Sequence, residues 1–340
     1  MRVPAPAKIN LHLRVGPTRS DGFHPLLTWM VTAGLFDTLT FVRQGQGAGR
    51  AAAEASHGDA STDAAPADPI FALSCSDPTL PVDAAGNLVT RVAIALADTL
   101  GFTLGSRVGE GSTARGATFA TEPGPVSAFL NKRIPPGAGL AGGSSDAVAT
   151  LIALNELWKL GWSQDRLARF SERFGSDLSF FFAEGGSAIC TGRGEIVRPI
   201  SPPDTARWAI LVLPAYSMPT PDVYHRFDEM TLGDERLVNE EPDWSAWSKL
   251  PAAELMPRLV NDLEPPAFSL RPELGELRAS LEAKFARVFR MSGSGSSLFT
   301  LCDTFDDAMS LAGWARNEFD VAAKAVALAP NARQKAREGG

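Results

Sequence analysis

The sequence predicts an α+β fold in two domains, and three observations lead to this prediction. Segments with the two-residue period of strands are interspersed with segments that have the period of amphipathic helices. The length of 340 residues is ample for one large core or for two domains. Beyond about residue 205 the chain has a strand, helices and a glycine loop of its own, so we expect domains over 1–204 and 205–328 and a frayed tail over 329–340.

The predicted elements follow from local periodicity. Residues 8–15 alternate polar and apolar side chains, which predicts a half-buried strand with Lys8 and Asn10 on its polar face. Residues 87–100 have the apolar spacing of an amphipathic helix. Residues 179–183 fit either a strand or a buried helical turn. The remaining predicted strands are 35–42, 126–132, 187–191, 208–213 and 298–301, and the remaining helices are 144–160, 164–174, 251–260, 272–286 and 306–319.

One segment of the first domain, residues 44–68, has a different composition. It contains many Ala and Gly residues and no Val, Ile, Leu, Met, Phe, Trp or Tyr. Such a segment cannot bury enough apolar surface to offset the entropy lost on ordering. We therefore predict that residues 44–68 form a disordered surface insertion.

The overall charge excludes some partners. The chain has 32 Lys+Arg and 39 Asp+Glu, a formal net charge of −7, which argues against binding nucleic acid or an anionic membrane. Three scattered cysteines are too few for a disulfide framework or a metal cluster. The N-terminus lacks the apolar core of a signal peptide, and no apolar run reaches the ~18–20 residues that span a bilayer. We therefore expect a soluble cytoplasmic protein, monomeric or homodimeric, that acts on a small molecule.

A glycine-rich loop is the strongest functional signal in the sequence. Four glycines within Pro135 to Ser145 precede a helix, so a ligand can approach the backbone closely and meet free N–H groups at the positive end of the helix dipole. This arrangement favours a phosphate over a plain flexible turn with a serine cap. Ser144 or Ser145 could cap the helix, and a free hydroxyl could help to hold Mg²⁺.

Two familiar phosphate loops fit this segment poorly. Gly137, Gly139 and Gly142 match the dinucleotide-binding spacing, but several residues, ending in Pro135 and Pro136, separate the strand from the first glycine. Asp165 also lies at a helix start instead of a strand end. The Walker loop requires a lysine after its glycines, and none follows here. The loop is therefore predicted to bind phosphate in another way.

Asp177 is the second signal. It stands just before three successive phenylalanines, where it would be partly desolvated and would need a cation or hydrogen-bond donors to stay ionised. Beside a lysine, such a carboxylate could accept a hydroxyl proton. An ordinary helix N-cap aspartate is an equally good interpretation of the spacing alone.

Two further segments could contact a ligand. In the turn Asp21–Pro25, Phe23 and His24 could recognise a flat heterocycle by stacking and hydrogen bonding, or they could be purely structural. The small-residue loop 292–297 could touch phosphate or substrate, or could be a tight connection. The motifs of zinc hydrolases and of the usual serine hydrolases are absent from the sequence.

Taken together, these motifs resemble those of the GHMP kinase superfamily and, within it, the 4-diphosphocytidyl-2-C-methyl-D-erythritol kinases. The similarity rests on the Pro-x-Gly-x-Gly-Leu-x-Gly-Gly-Ser-Ser loop, on residues 5–11 with the Asp21–His24 turn, and on residues 175–177, 219–221 and 292–295 in the same order. It spans most of residues 4–326, apart from the insertion and a weakly similar stretch near 231–257.

The resemblance implies a fold and a reaction. The expected fold is an N-terminal α/β domain with a left-handed β-α-β unit and a C-terminal ferredoxin-like domain, with ATP and substrate in the cleft between them. The expected reaction, with ATP and Mg²⁺ as cofactors, transfers the γ-phosphate to the 2-hydroxyl of a cytidine diphosphate-linked methylerythritol.

The resemblance also implies residue roles. Asp177 matches the catalytic acid and Lys8 the catalytic lysine, Asn10 would position the erythritol end, and His24 would bind the cytosine edge. Phe23 and Tyr224 would sandwich the cytosine ring, and Ser145 is a candidate Mg²⁺ ligand. The implied ATP-binding residues are Pro135, Pro136, Gly137, Ala138, Gly139, Leu140, Ala141, Gly142, Gly143, Ser144 and Ser145.

Two residues depart from the family pattern. Phe23 stands where tyrosine is common, and Ser179 stands where proline is usual. Neither departure removes a proposed catalytic group. Three alternatives stay open at this point: another kinase of the superfamily acting on a mevalonate derivative or homoserine, a dinucleotide-binding oxidoreductase, and a catalytically silent nucleotide-binding protein.

Overall fold

The structure is a computed structural model that describes residues 1–44, 69–101 and 124–330. The predicted insertion 44–68, except Gln44, and the last ten residues of the predicted tail lie outside the described residues.

The described chain combines strands and helices throughout its length. The strands are β1 (Arg2–Val15), β2 (Leu26–Arg43), β3 (Phe71–Cys75), β4 (Val126–Asn131), β5 (Ser187–Thr191), β6 (Ile196–Pro199), β7 (Trp208–Leu213), β8 (Arg290–Met291), β9 (Leu298–Cys302) and β10 (Ala322–Ala327). The α-helices are α1 (Leu88–Thr99), α2 (Gly142–Leu157), α3 (Gln164–Ser171), α4 (Thr220–Glu229), α5 (Glu235–Asn239), α6 (Trp244–Trp247), α7 (Ala252–Leu255), α8 (Glu264–Leu270), α9 (Pro272–Phe285) and α10 (Phe305–Phe319). Short 3₁₀ helices cover Glu172–Phe174, Ser176–Phe182, Glu184–Gly186 and Met256–Arg258.

The chain divides into two compact units that do not follow the chain order. The smaller unit comprises Met1–Ala5, Asp37–Lys132 and Asp146–Phe174, and the larger comprises Pro6–Phe36, Arg133–Ser145 and Gly175–Gly340. The predicted division at residue 205 does not coincide with these units and stays a prediction. Strands β1 and β2 and helix α2 each contribute residues to both units.

The smaller unit contains a β-α-β arrangement. Strands β3 and β4 pair in parallel with α1 between them in the chain, and the end of β2 pairs antiparallel with β4. Asn87 caps α1 by accepting a hydrogen bond from the Val89 N–H. Helix α1 packs on β3. This pair of strands corresponds to the expected β-α-β unit, whose hand stays a prediction.

A buried ionic cluster also belongs to the smaller unit. The Lys132 Nζ donates hydrogen bonds to carboxylate oxygens of Asp37 and, at 2.9 Å, of Asp146. Both aspartates are almost fully buried, and the second oxygen of Asp146, Oδ1, has no hydrogen-bond partner among the described residues. Burial is the main cause that raises the pKa of Asp146, to about 7, with Asp37 adding to it and Lys132 opposing it.

The larger unit contains an antiparallel sheet with the strand order β10-β7-β9-β8. In chain order these strands are the fourth, first, third and second, with helices between the first two and α10 between the last two. This is the β-α-β-β-α-β arrangement expected for a ferredoxin-like domain. In the same unit, residues 28–31 of β2 pair with β5, which pairs with β6.

Strand β7 shows how the larger unit is built. Its residues Ile210 and Val212 belong to the apolar cluster beneath the helices, together with Phe227 and Phe289. Leu211, on the opposite face, belongs to a second cluster that includes residues of β1 and β2. Because side chains alternate along a strand, a fully apolar β7 indicates burial on both faces. One face of this sheet is therefore covered by helices and the other carries the strand on which Lys8 lies.

The α+β class is confirmed by these sheets and helices, and two local expectations, the strand starts and the exposure of β1, are corrected. Strands β1 and β2 are longer than predicted, since they begin at Arg2 and Leu26. Of the two interpretations offered for residues 179–183, the helical one is confirmed, because residues up to Phe182 belong to a 3₁₀ helix. The polar face of β1 is buried rather than exposed, with Lys8 only 4% accessible. Burying a lysine requires partners for its charge, and those partners form the candidate site.

Candidate active site

Lys8 lies at the centre of the candidate site. It is on β1, whose alternation sends Ile9 into the apolar cluster and Lys8 to the opposite face. Its Nζ donates to the side-chain oxygen of Asn10 and, at 3.1 Å, to the Gly139 carbonyl, and it lies 3.5 Å from the Asp177 carboxylate. An ammonium has three N–H donors, and these three acceptors match them in number.

Asp177 is placed by the 3₁₀ helix Ser176–Phe182. It stands in the first turn, while the next residues, Leu178 and Phe180, are fully buried and anchor the segment. The Asp177 side chain does not cap the helix, which starts after Gly175 without a side-chain cap. Its carboxylate is 33% exposed, so it is both paired with Lys8 and accessible. The sequence motif is thus placed beside a lysine, as the base interpretation requires.

Two buried groups lie in the field of Asp177. Burial raises the pKa of Tyr224, and the Asp177 charge raises it further, so this phenol stays protonated. The same two causes raise the pKa of Cys190, with Lys8 opposing them. Cys190 is thus a protonated, buried thiol rather than a nucleophile.

At its tightest point, the glycine loop has a backbone conformation that glycine adopts without strain and other residues do not. Gly137 and Gly139 have φ of +64° and +74°, a left-handed region that side chains disfavour. A Cβ at Gly139 would lie 2.0 Å from the Ser292 carbonyl oxygen. At Gly143, in contrast, a Cβ would meet nothing within 4 Å. Helix α2 begins at Gly142, two residues before the predicted start at Ser144.

The carbonyls of residues 137–141 all accept hydrogen bonds from within the larger unit. The donors come from β1, from the second glycine loop, from the segment before α4 and from α2 itself. In order, Gly137 accepts from Met218 N (2.9 Å), Ala138 from Ser297 N (3.1 Å), Gly139 from Lys8 Nζ (3.1 Å) and Ser292 Oγ (3.0 Å), Leu140 from Lys8 N (3.0 Å) and Ala141 from Ser145 N (3.0 Å).

The second glycine loop, 292–297, contacts the first. Besides donating to the Gly139 carbonyl, the Ser292 hydroxyl accepts from the backbone N–H of Asn10 at 3.2 Å. Ser294 shares a hydrogen bond with Thr220, whose motif 219–221 also belongs to the resemblance. This segment is therefore part of the candidate site rather than a simple connection.

The predicted cytosine-binding residues come from two elements of the larger unit. His24 is buried, its Nδ1 donates to the Gly16 carbonyl at 2.9 Å, and its Nε2 faces Thr18 and Asp228, each at 3.5 Å. The Tyr224 ring, on α4, lies 5.1 Å from the His24 ring.

Phe23, by contrast, is 48% exposed, and the guanidinium of Arg193 lies 4.8 Å from its ring centroid. Tyr224 thus contacts His24 directly, while Phe23 presents an open face.

Sequence reasoning missed one side chain that is hydrogen-bonded to Asn10, the neighbour of Lys8. Thr28 accepts a hydrogen bond from the Asn10 amide at 2.8 Å and is fully buried. Strand β2 was predicted to start at residue 35, which left Thr28 outside any element. The alternation of Leu27, Trp29 and Val31 could have extended the strand and placed Thr28 on the face opposite them.

The described residues contain no group of three His, Cys, Asp or Glu side chains that could hold a metal ion. Among the helices of the same residues, none is long and apolar enough to cross a membrane.

Comparison with known proteins gives the family. The family model described as "GHMP kinases N terminal domain" matches residues 87–186, and the model described as "GHMP kinases C terminal" matches residues 243–313. A 4-diphosphocytidyl-2-C-methyl-D-erythritol kinase of Nocardioides sp. (strain ATCC BAA-499 / JS614) is 37% identical over 316 residues, covering 91% of this chain and 90% of that protein. The enzyme of the same name from Heliobacterium modesticaldum is 35% identical over 326 residues, covering 92% and 89%.

Solved structures agree with the sequence comparison. A crystal structure of 4-(cytidine 5'-diphospho)-2C-methyl-D-erythritol kinase superposes with a TM-score of 0.68 at 29% identity, covering 97% of this chain and 100% of that one. A homoserine kinase from Cytophaga hutchinsonii has a TM-score of 0.59 at 16% identity, with 96% and 94% coverage, and shows the shared fold alone. The chain therefore belongs to the 4-diphosphocytidyl-2-C-methyl-D-erythritol kinase family of the GHMP kinases.

Proposed function

We propose that this protein transfers the γ-phosphate of ATP to the 2-hydroxyl of 4-diphosphocytidyl-2-C-methyl-D-erythritol, a step of non-mevalonate isoprenoid precursor biosynthesis. The observation that carries the proposal is the position of Lys8. Its ammonium lies 3.5 Å from the Asp177 carboxylate and donates to the Gly139 carbonyl at 3.1 Å. One side chain thus links a possible proton acceptor to a loop suited to a triphosphate. The substrate follows from the family.

The proposed step uses Asp177 as the base. Asp177 accepts the proton of the substrate hydroxyl, whose oxygen bonds to the γ-phosphorus, while the bond from that phosphorus to the β–γ bridging oxygen breaks and ADP leaves. The Lys8 ammonium holds the Asp177 carboxylate in place by charge attraction and stabilises the charge on the transferring phosphoryl group. The 33% exposure of the Asp177 side chain supports this role, because a substrate hydroxyl could reach it.

We further propose that residues 135–145 bind the ATP phosphates through backbone N–H groups. A matched pair of variants tests this role. Gly139→Ala should lower ATP affinity ~10-fold or more, because the added Cβ would collide with the Ser292 carbonyl at 2.0 Å. Gly143→Ala should leave affinity nearly unchanged, because no atom lies within 4 Å of its Cβ. Equal ATP affinities in a titration of both variants would contradict the assignment.

We propose that Mg²⁺ accompanies the ATP rather than occupying a cage of side chains. The described residues fit this mode, since no cluster of three metal-ligating side chains is present among them. The residue of this chain that would hold the ion is Ser145, through its hydroxyl, while Asp146 is already engaged by Lys132. When bound, the ion neutralises part of the triphosphate charge.

His24, Phe23, Tyr224 and Asn10 are proposed to bind the rest of the substrate. The Gly16 carbonyl engages Nδ1 of His24 at 2.9 Å, so Nε2 is the ring nitrogen that can meet the cytosine edge. Phe23 has an exposed ring that could stack on the base, with Tyr224 on the other side. Asn10, adjacent to Lys8, is placed to contact the erythritol end.

The cytosine assignment predicts a selective change in KM. His24→Ala should raise KM for the cytidine substrate ~10-fold and leave KM for ATP nearly unchanged, since a lost hydrogen bond with a buried partner is worth about that factor. His225→Ala is the matched control, because the His225 side chain is 77% exposed on the same helix as Tyr224. Equal increases in both KM values would argue against the assignment.

An ADP-release assay on the full chain tests the whole function. We expect ATP-dependent turnover of 4-diphosphocytidyl-2-C-methyl-D-erythritol and none of mevalonate or homoserine. Preferential turnover of either alternative would overturn the substrate. Nicotinamide fluorescence changes on titration would indicate a dinucleotide-binding oxidoreductase. ATP binding without ADP release from any acceptor would indicate a silent nucleotide-binding protein.

Three expectations stay proposals from the sequence: the domain boundary near residue 205, the cytoplasmic location, and a monomeric or homodimeric state without nucleic acid or membrane partners.

A further inference from the structure

Thr28 is a buried polar residue that the reaction described above does not use. It lies on β2 opposite Cys190 of β5, and no part of it is exposed to solvent. Its hydroxyl accepts a hydrogen bond from Nδ2 of Asn10 at 2.8 Å. A hydroxyl in an apolar interior is costly unless it is hydrogen-bonded, so this contact is the reason it is tolerated.

The Asn10 amide connects Thr28 to Lys8. The Lys8 ammonium has only donors, so it requires the oxygen end of the amide, Oδ1. The nitrogen end then points the other way and needs an acceptor, which Thr28 supplies. The amide is thus held at both ends within a region where Asn10 is only 3% exposed.

Lys8 in turn depends on the amide for its position. Of its three acceptors, Asn10 Oδ1 belongs to the same strand, whereas the Gly139 carbonyl at 3.1 Å and Asp177 at 3.5 Å belong to other segments. If the amide turned away, the ammonium would keep two acceptors and would be free to shift along the line between them. A displacement of ~1 Å can lower a rate ~100-fold when the charge no longer faces the reacting group.

We propose that Thr28 is a positioning residue for phosphoryl transfer, which holds the Asn10 amide and through it the Lys8 ammonium opposite Asp177. This inference rests on the proposed function. Thr28 touches neither Lys8 nor Asp177 in the hydrogen-bond network, so it acts only through Asn10.

The test compares two substitutions at one position in the full chain. Thr28→Val keeps the shape and removes the hydroxyl, while Thr28→Ser keeps the hydroxyl and removes a methyl group. We expect Thr28→Val to lower kcat ~10- to 100-fold with both KM values within ~3-fold of the original, and Thr28→Ser to retain most of kcat.

Thr32→Val controls for the loss of a buried hydroxyl as such. Thr32 lies on the same strand, is 5% exposed, and its hydroxyl donates to the Gly186 carbonyl at 3.2 Å. The Thr32→Val variant should retain kcat even if its Tm falls as much as that of Thr28→Val. An unchanged kcat in Thr28→Val, equal losses in Thr28→Val and Thr28→Ser, or an equal loss in Thr32→Val would overturn the proposal.

A measurement independent of turnover separates this inference from the proposed function. Lys8 is 4% exposed, so acetylation by acetic anhydride, followed by peptide mass spectrometry, should be slow in the unaltered chain. Thr28→Val should accelerate acetylation of Lys8 severalfold relative to Lys249, and Thr28→Ser should not. Unaltered labelling in Thr28→Val would contradict the proposal, whatever the substrate assay shows. An unaltered chain that is inactive on every acceptor would instead contradict the function alone.

Discussion

Two lysines of this protein each contact aspartates, one in each compact unit, and they differ in burial. In the larger unit, Lys8 lies 3.5 Å from a carboxylate that is 33% exposed. In the smaller unit, Lys132 lies 2.9 Å from Asp146 and also binds Asp37, and both carboxylates are at most 1% exposed.

The difference separates an ion pair available for chemistry from one that holds structure. A partly exposed carboxylate keeps an oxygen that a substrate can reach, and its charge is partly hydrated even without the lysine. Fully buried carboxylates rely on their partner, because an uncompensated buried charge is strongly unfavourable. Burial alone would lower the pKa of Lys132, but Asp146 and Asp37 raise it overall, so its ammonium stays charged. Variants of the two groups should therefore fail in different assays.

Asp177→Asn should show the largest effect, and in catalysis rather than stability. Without the base, kcat should fall ~100- to 10,000-fold, while ATP affinity and Tm change little. Steady-state kinetics with a separate ATP titration measures both. Glu184→Gln, an exposed position in the following 3₁₀ helix, is the control. If Asp177→Asn turned over substrate as fast as the unaltered chain, the assignment of Asp177 as the base would be wrong.

Lys132→Met should show the largest loss of stability. It leaves Asp37 and Asp146 facing each other without a cation, which should lower the free energy of unfolding by ~3–5 kcal/mol. Lys284→Met removes a surface pair with Glu318 at 3.2 Å and should change it by less than ~1 kcal/mol. Urea denaturation of both variants makes the comparison. Similar losses would show that burial does not distinguish the two kinds of pair.

The buried cluster should also make stability depend on pH. The raised pKa of Asp146 means that the folded chain binds a proton more tightly than the unfolded chain. Stability from this group is therefore present below its ordinary value of 3.8 and is lost as pH rises to about 7. Asp146→Asn should remove this loss of stability, which is on the order of 4 kcal/mol across the window. If the stability of Asp146→Asn changed with pH in the same way as that of the unaltered chain, the raised pKa of Asp146 would be contradicted.

Lys8→Met should cost less stability than Lys132→Met. Water can hydrate Asp177, and the Gly139 carbonyl keeps its hydrogen bond from Ser292, so the loss should be on the order of 1–2 kcal/mol, mainly from the Asn10 oxygen that loses its donor. Its activity should nevertheless be lost. If Lys8→Met destabilised the chain as much as Lys132→Met, the contrast between the two groups would be wrong.

Much of the site was predictable because its groups are local in sequence. The strand around Lys8 and the glycine loop carry patterns of a few residues, and the structure brings Lys8, Asp177 and residue 139 together. The family resemblance supplied their pairing, which periodicity alone could not.

What escaped prediction depends on long-range contacts or weak local signals. Lys132 carries no local sequence signal of burial, and its partner Asp37 is 95 positions away. Thr28 lies in the part of β2 that precedes the predicted start at residue 35 and follows the Asp21–Pro25 turn directly. The 3₁₀ helix at Asp177 is too short to have a period.

Because the carbonyls of residues 137–141 already accept hydrogen bonds, the loop should distinguish between the protonation states of a bound phosphate. Those five oxygens already receive hydrogen bonds from the protein, so they are poorly available to a ligand that donates. A phosphate that still carries a proton would bring a donor to a surface that itself offers donors. The loop should therefore bind the fully ionised terminal phosphate in preference to its monoprotonated form.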